Sequence, residues 1–483
     1  MVVEKMLSRK FAFFFGLLII SLFIPFTWSQ LFDPLLVAGQ LSKQTFVSEM
    51  SNSFKLGRLG LEGFFPLRTF YEWYHTGPLP WAEEFPLYTF LVGKLAALFN
   101  TSVVITGRLV AFFFYFVFLV GTNELMKALD FTQKMRRIWF FYFSTAPVFF
   151  IYSIGVMLEI PMMSMIVWGA ASYLREERLK TFLFFMLAAL FKYYALFFML
   201  GLFLYRRRFF FLLGFAALPS ILYVLFFIFM KVPNPVTEYQ QVGIDGHFST
   251  TKLLFSLKFY SRLFTWNIIK NLGPLMGGLG LIVFVLRFIK VKKTNASFFS
   301  FQLVSYLIFV LIFAHGVYIH DYYSIQFALV FSLFIVHRCS SLLSSHVLLM
   351  VAAVLLNFKM SYSALKKQTY FYEITQEVRG IVGEGNFSLL VTGDGPLTTS
   401  LFHLETPGRI IVPGDWSILE RKEKALERMN WVLAIFYGEK RELNLEGKFL
   451  KVLTRKTQTD EGKKHSLVYE LYKKKDDGYG RTQ

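Results

Sequence analysis

The sequence predicts an all-α, polytopic membrane domain followed by a small α/β domain, and three observations predict it. Of 483 residues, 55% are hydrophobic and only 17% charged, where ordinary soluble domains carry roughly a quarter charged residues. Over the first 360 residues the apolar side chains gather in long runs, of the kind that cross a hydrocarbon layer of roughly 30 Å as helices. After residue 360 the pattern changes to short strand-like runs. This composition excludes a soluble enzyme, a disordered scaffold and a fibrous repeat.

Taken in order, the basic segment Met1 to Lys10 precedes an apolar run from Phe11 to about Trp28. No small-residue cleavage site follows it, so the expectation is an uncleaved anchor with a cytoplasmic N-terminus. Further runs at 104–124, 138–157, 160–174, 181–191, 193–205, 209–230, 273–290, 299–315, 323–337 and 344–358 bring the expected spans to eleven. Charge tests this arrangement. The loops placed inside hold 18 Lys and Arg against five acids, whereas the outer segments of the same region hold 13 against 10 over much longer stretches. That asymmetry is the positive-inside pattern. It also disposes of a nucleic-acid partner, because +16 of the +19 net charge lies in the first 360 residues, mostly in short loops between apolar runs. The single cysteine, Cys339, rules out a disulfide-stapled fold.

Two stretches are short for spans: 160–174, and the two halves of 181–205 on either side of Lys192. A lysine at the centre of one continuous span costs about 2.5–3.5 kcal/mol, so a pair of half-length helices with Lys192 at the outer mouth is expected. Helices that stop short need protein or a water-filled cavity over their ends, which predicts an excavated outer leaflet. The transmembrane domain then covers 1–360, with long outer loops at 32–103 and 231–272. Within the first loop, Glu84 to Phe99 is amphipathic, with Pro86 suited to a first helical turn at the outer interface. The runs 387–393, 409–414, 431–436, 448–453 and 466–472 read as strands, the first three separated by helix-like segments. They define an extracytoplasmic α/β domain at 361–472, followed by a polar tail, 473–483.

Ionisable groups at the outer ends of spans carry the functional information, because each costs free energy without a partner or a task. They are Glu83 and Glu84, Arg108, Glu159, Lys192, and His320 with Asp321. Each also has a plain structural alternative: a helix-start acid for Glu84, a solvated acid for Glu83, a turn acid for Glu159, a snorkelling cation for Lys192, a structural ion pair for Arg108, and a local loop pair with aromatic anchoring for His320, Asp321, Tyr322 and Tyr323. Gathered on one side of a membrane, they suit a sugar donor carried on a polyprenyl phosphate. A phosphate leaves without protonation, so such a site needs one carboxylate base for the acceptor hydroxyl, with cations to stabilise charge on the departing group.

Four segments, EEFPLYTFLVGKLAALF (83–99), APVFFIYSIGVMLEIP (146–161), LAALFKYYALFF (187–198) and IHDYYSIQFALV (319–330), resemble bacterial glycosyltransferases of the GT-C fold. The likeness is to the branch akin to dolichyl-phosphate-mannose protein mannosyltransferases and the lipid A aminoarabinose transferase, and spans nearly the whole chain. It implies eleven to thirteen spans, a polyprenyl-phosphate sugar donor lipid, an acceptor glycan, lipid or protein, and a catalytic acid in the first outer loop. Many relatives carry an Arg-Gln or Asp-Glu pair with a nearby Asp after the first span, where the corresponding stretch of this chain, LSKQTFVSEM (41–50), has Lys43-Gln44 and no Asp. Glu84 is therefore the first candidate base, with Glu49 and Asp33 behind it. Lys192, Arg108, His320, Tyr322 and Tyr323 are the candidates for the donor phosphate, and Glu159, Asp321 and Glu83 for positioning the acceptor or a metal. The resemblance leaves a divalent ion open. It implies a multi-pass protein of the cytoplasmic (inner) membrane with its C-terminal domain outside. The competing readings are a transporter or flippase of lipid-linked sugar, and a non-catalytic membrane subunit.

Overall fold

A computed structural model describes residues 85–207, 210–229, 251–287, 296–345 and 347–365, with shorter pieces at 23–32 (except 25), 41–57, 59–60, 65–68, 70–72, 79–80, parts of 374–382, 388–393, 409–412, 431–437, 449–458 and 466–475. Within these segments some side chains, including those of Glu49 and Asp321, fall outside the description. In chain order the helices are α1 (Leu41–Leu56), α2 (Leu87–Leu98), α3 (Val103–Ala128), α4 (Gln133–Phe143), α5 (Pro147–Ser153), α6 (Glu159–Leu174), α7 (Arg178–Phe191), α8 (Ala195–Tyr205), α9 (Phe210–Phe229), α10 (Thr251–Leu254), α11 (Leu257–Phe264), α12 (Pro274–Arg287), α13 (Ala296–Ile312), α14 (Ala314–Ile319), α15 (Ile325–Ser345) and α16 (Val347–Ala364). The strands are β1 (Leu59–Gly60), β2 (Phe65–Arg68), β3 (Phe70–Glu72), β4 (Leu79–Pro80), β5 (Ser388–Gly393), β6 (Arg409–Val412), β7 (Trp431–Tyr437), β8 (Phe449–Gln458) and β9 (Ser466–Lys474). The chain divides into two compact units: Met1–Pro34, Ala82–Val92 and Val104–Leu365, and Leu35–Trp81, Gly93–Val103 and Lys366–Gln483.

The first unit is helical. Most of its helices are predominantly apolar, whereas α4 and α11 are amphipathic, and local sequence sets their limits. Thr132 caps α4 by accepting the Met135 N–H at 3.3 Å, which satisfies one otherwise orphaned amide. Pro147 opens α5, where its missing N–H costs nothing. Asp130 and Glu176 adopt φ 59° and 65° just past α3 and α6, and the amides of Phe131 and Glu177 turn back to Met126 and Ser172 at 2.9 Å, which closes both helices with left-handed caps. Among the described residues, two helical stretches are long and apolar enough to cross a membrane, Val103–Ala128 and Tyr322–Ser340.

Small residues let these helices approach closely. A Cβ built on Gly121 of α3 would lie 2.5 Å from Val167, and one on Gly169 of α6 would lie 2.8 Å from the Phe185 ring of α7. Such sites favour packing in lipid, where no hydrophobic force drives helices together. Buried polar side chains cross-link neighbours: Trp139 Nε1–H donates to Ser332 Oγ at 2.8 Å and Ser220 Oγ–H to the Ala189 carbonyl at 2.6 Å. The helical segment within 23–31 packs through Phe23 on Phe150 and Phe358, with ring centroids 4.9 and 5.1 Å apart. At one end of α3 and α6, Glu124 accepts from Lys127 and Arg175, each at 2.6 Å.

The second unit contains all five expected C-terminal strands. They form a six-stranded sheet in the order β3-β6-β5-β7-β9-β8, in which β3, β6, β5 and β7 run parallel and β9 and β8 antiparallel. The edge strand β3 comes from the segment read as the first outer loop, through Phe70↔Ile410 to Glu72↔Val412. Near-continuous apolar runs such as WVLAIFY suit strands covered on both faces. Strands β1, β2 and β4 form a separate antiparallel sheet. The segments expected to be helical between β5, β6 and β7, and most of the polar tail, lie outside the described residues.

Candidate active site

Two antiparallel helices bring the central pair together. The α6–α7 hairpin turns at residues 175–177, and α6 and α7 pack along their length. With 16 and 14 residues on the two arms, the start of α6 and the end of α7 meet at the same end of the hairpin. Glu159 is the first residue of α6, and Lys192 is the extended residue, φ −160° and ψ 124°, that stops α7. A carboxylate at a helix N-terminus and an ammonium at a helix C-terminus both complement the helix dipole. The chain turns through Tyr193 and Tyr194 before α8 begins, so the break expected at Lys192 is present.

Glu159 and Lys192 form an ion pair with side-chain exposures of 0% and 2%. The carboxylate oxygen that takes the Lys192 ammonium, Oε1, also accepts the Tyr194 hydroxyl at 3.1 Å. Its other oxygen, Oε2, is buried and has no hydrogen-bond partner among the described residues. Two tyrosine rings hold the ammonium: Nζ lies 4.8 Å from the centroid of Tyr194 and 4.6 Å from that of Tyr322. Desolvated cation–π contacts of this kind are worth about 2 kcal/mol.

The rings continue outward as a stack. Tyr194 lies on Tyr323 at 5.1 Å, Tyr323 on Tyr322 at 5.0 Å, and Tyr322 on His320 at 5.0 Å. Tyr152 meets Tyr322 edge-on at 6.3 Å. A short 3₁₀ turn, Asp321–Ser324, between α14 and α15 presents these groups. Gln326 fixes the turn to the hairpin by donating to the Tyr194 carbonyl at 3.0 Å. Tyr322 and Tyr323 are buried, and His320 at the end of the row is half-buried. Tyr88 of α2 donates its hydroxyl to the Gly107 carbonyl at 2.8 Å. Burial, and to a lesser degree the charge of Glu159, push its phenol well above the usual range, so it stays a donor at any working pH.

The structure therefore gathers Glu159, Lys192, His320, Tyr322 and Tyr323 from the residues proposed on sequence. Arg108 is fully buried and donates to the Gln30 carbonyl. Asp33, Glu83 and Glu84 lie outside the described residues, as do the side chains of Glu49 in α1 and Asp321 in the 3₁₀ turn. Tyr194, Tyr88, Tyr152 and Gln326 are site components that sequence reasoning left unassigned. The signal for all four was their position inside the four quoted segments. Among the described residues, no three His, Cys, Asp or Glu side chains come together as a metal site.

The arrangement offers a buried carboxylate with one oxygen held and one without a partner among the described residues, beside a row of aromatic rings that ends in an imidazole. It can accept a proton or a hydroxyl hydrogen bond inside, and it can face an anion at its imidazole end.

This fold is the GT-C fold that the four segments resemble. The chain superposes on ArnT from Cupriavidus metallidurans bound to undecaprenyl phosphate with a TM-score of 0.57 at 12% identity, covering 93% of this chain and 97% of that one. Arabinofuranosyltransferase AftD from Mycobacteria matches at TM-score 0.52 and 13% identity over 98% of this chain and 40% of its own. The Archaeoglobus fulgidus oligosaccharyltransferase tethered to an acceptor peptide matches at 0.51 and 11%, over 89% and 69%. No family model matches the chain, and no curated protein does.

Proposed function

We propose that this protein is an inverting membrane glycosyltransferase that moves a sugar from a polyprenyl-phosphate donor to an acceptor hydroxyl at the outer face of the cytoplasmic membrane. The observation that carries the reading is the buried Glu159–Lys192 pair, whose second carboxylate oxygen has no partner among the described residues, set in the fold of ArnT, a protein crystallised with undecaprenyl phosphate. A buried ion pair is poor value as a stability device, because desolvation cancels most of its attraction. Its place beside a row of stacked rings favours a chemical role.

In this reading Glu84 is the base that takes the acceptor proton as the sugar is displaced, with Glu49 and Asp33 as the other candidates. Oε2 of Glu159 accepts a hydrogen bond from the acceptor and orients it. Because Glu159 already compensates Lys192, Lys192 serves chiefly to hold the carboxylate and the tyrosines, and His320 at the half-buried end of the row meets the leaving phosphate. Phosphate departs without protonation, so cationic or hydrogen-bonding groups suffice there. The eleven spans, and the outer placement of the C-terminal domain, belong to the same reading.

The test uses the full chain in lipid nanodiscs with undecaprenyl-phosphate-linked radiolabelled sugars and follows loss of sugar from the carrier. Removing a general base costs about 10²–10⁴-fold in rate, so Glu84→Gln should fall by that factor while remaining folded. Wild-type turnover in folded Glu84→Gln would transfer the role to Glu49 or Asp33. Sugar that crosses the bilayer still attached to its carrier would point to a flippase instead.

A further inference from the structure

Between α9 and α12 the chain carries an amphipathic element that the site does not use. From Phe255 to Phe264 it presents two unlike faces. Phe259 is 1% exposed and packs on Tyr318 with ring centroids 6.3 Å apart, while the Arg262 guanidinium sits 4.5 Å above the same ring. On the opposite face Phe255 and Leu257 are each 88% exposed, Tyr260 50% and Phe264 38%. Leu257, Tyr260 and Phe264 are spaced i, i+3 and i+7, so they form one stripe along α11. Lys258 beside the stripe and Lys270 beyond it are exposed. Three large apolar or aromatic groups exposed on one short helix, with Phe255 exposed just before it, are costly in water. An apolar stripe flanked by lysines is the pattern of a helix lying in a membrane interface, aromatic rings at headgroup depth and ammonium groups at lipid phosphates.

We propose that Phe255–Phe264 docks on the lipid surface, its Leu257–Tyr260–Phe264 stripe sunk among the upper acyl chains and Lys258 at the phosphates. Its buried face rests on Tyr318 of α14, the helix that ends immediately before His320. The bilayer surface thus supports the turn that presents the end of the ring row. This rests on the reading of the chain as a membrane glycosyltransferase and adds a lipid-bound support to that site.

The experiment places single nitroxide labels on the full chain in nanodiscs of phosphatidylglycerol and phosphatidylcholine, in a Cys339→Ser background that removes the only native cysteine. Labels go at Leu257→Cys and Tyr260→Cys on the stripe. Controls are Phe113→Cys, 63% exposed on α3, and Arg207→Cys in an exposed loop. Collisions with oxygen and with a water-soluble nickel complex are compared by power saturation. The expected result is an oxygen-to-nickel ratio at 257 and 260 well above that at 207 and below that at 113, which is a shallow position in lipid. A ratio equal to that at 207 overturns the proposal, because the helix is then in water. Shielding of both stripe labels from both reagents also overturns it, since a protein surface then covers the stripe. A water-exposed label at 113 would remove the membrane reading itself, so the two failures are distinguishable. Using two stripe positions protects the test against one label that perturbs folding.

Discussion

At the scale of single residues, the site is built on a charge pair that cannot be separated cheaply. Breaking a buried pair by neutralising one partner typically costs about 3–5 kcal/mol, because the other charge stays behind in a dry environment. Glu159→Gln should therefore lower the melting temperature sharply, whereas the double variant Glu159→Gln/Lys192→Met should recover most of the loss. Thermal unfolding in detergent measures both, and equal losses in the single and double variants would show that the two charges are not coupled. Tyr194→Phe removes only the hydroxyl that donates to Oε1. A hydrogen bond to a charged group is worth about 1.5–3 kcal/mol, so this variant should be milder than Glu159→Gln and should retain the ring stack on Tyr323. Glu176 shows the reverse case. Its φ of 65° at the end of α6 strains a residue with a long side chain, and Asn tolerates that region better. Glu176→Asn is expected to raise stability by up to about 1 kcal/mol, read as a higher melting temperature, with turnover unchanged.

At the scale of elements, close helix contact is what holds the hairpin that carries the pair. Gly169 sits against Phe185 with no room for a side chain, so Gly169→Leu must push α6 away from α7. Overpacking usually costs about 1–3 kcal/mol. Because Glu159 and Lys192 sit at the far end of those same two helices, the variant should lose activity beyond what its stability loss explains, and comparing melting temperature with turnover on one preparation checks this. The elements were largely legible beforehand. Apolar runs located most of the described helices because their composition differs so strongly from the loops, and Lys192 marked the break because a lysine is too costly inside a span. The run 138–157, expected as one span, is instead two helices, α4 and α5, because Ala146 before Pro147 is extended, as residues before proline tend to be. The five C-terminal strands were legible from apolar runs ended by Gly or by charged residues. The tyrosine contacts were not legible, since Tyr194 and Tyr323 are 129 residues apart and periodicity within a helix says nothing about which helix lies opposite. Strand β3 escaped for a related reason: FYE is three residues long and takes its place from a partner more than 300 residues away. The buried Oε2 of Glu159, without a partner among the described residues, is also a property of packing alone.

At the scale of the whole molecule, the side of the membrane on which the pair lies decides which substrates can reach it. Helix α6 rises about 24 Å and α7 about 21 Å, at 1.5 Å per residue, against a hydrocarbon thickness of roughly 30 Å. If the basic turn at residues 175–178 is anchored at one face, the Glu159–Lys192 end stops below the other face, and in the proposed reading the acceptor hydroxyl must enter a recess to meet it. The proposed topology puts the loops on the side of Arg175, Arg178 and Lys180 in the cytoplasm, because they hold 18 basic residues against five acids, the bias that the positive-inside rule describes. Cysteine labelling with a membrane-impermeant maleimide, again in the Cys339→Ser background, tests this directly. Asn100→Cys, placed outside by this topology, should react in intact spheroplasts, and Glu176→Cys only after permeabilisation. The reverse pattern would put the carboxylate pair at the cytoplasmic face, where activated sugars are available as soluble nucleotide conjugates, and the need for a donor delivered on a polyprenyl chain would disappear.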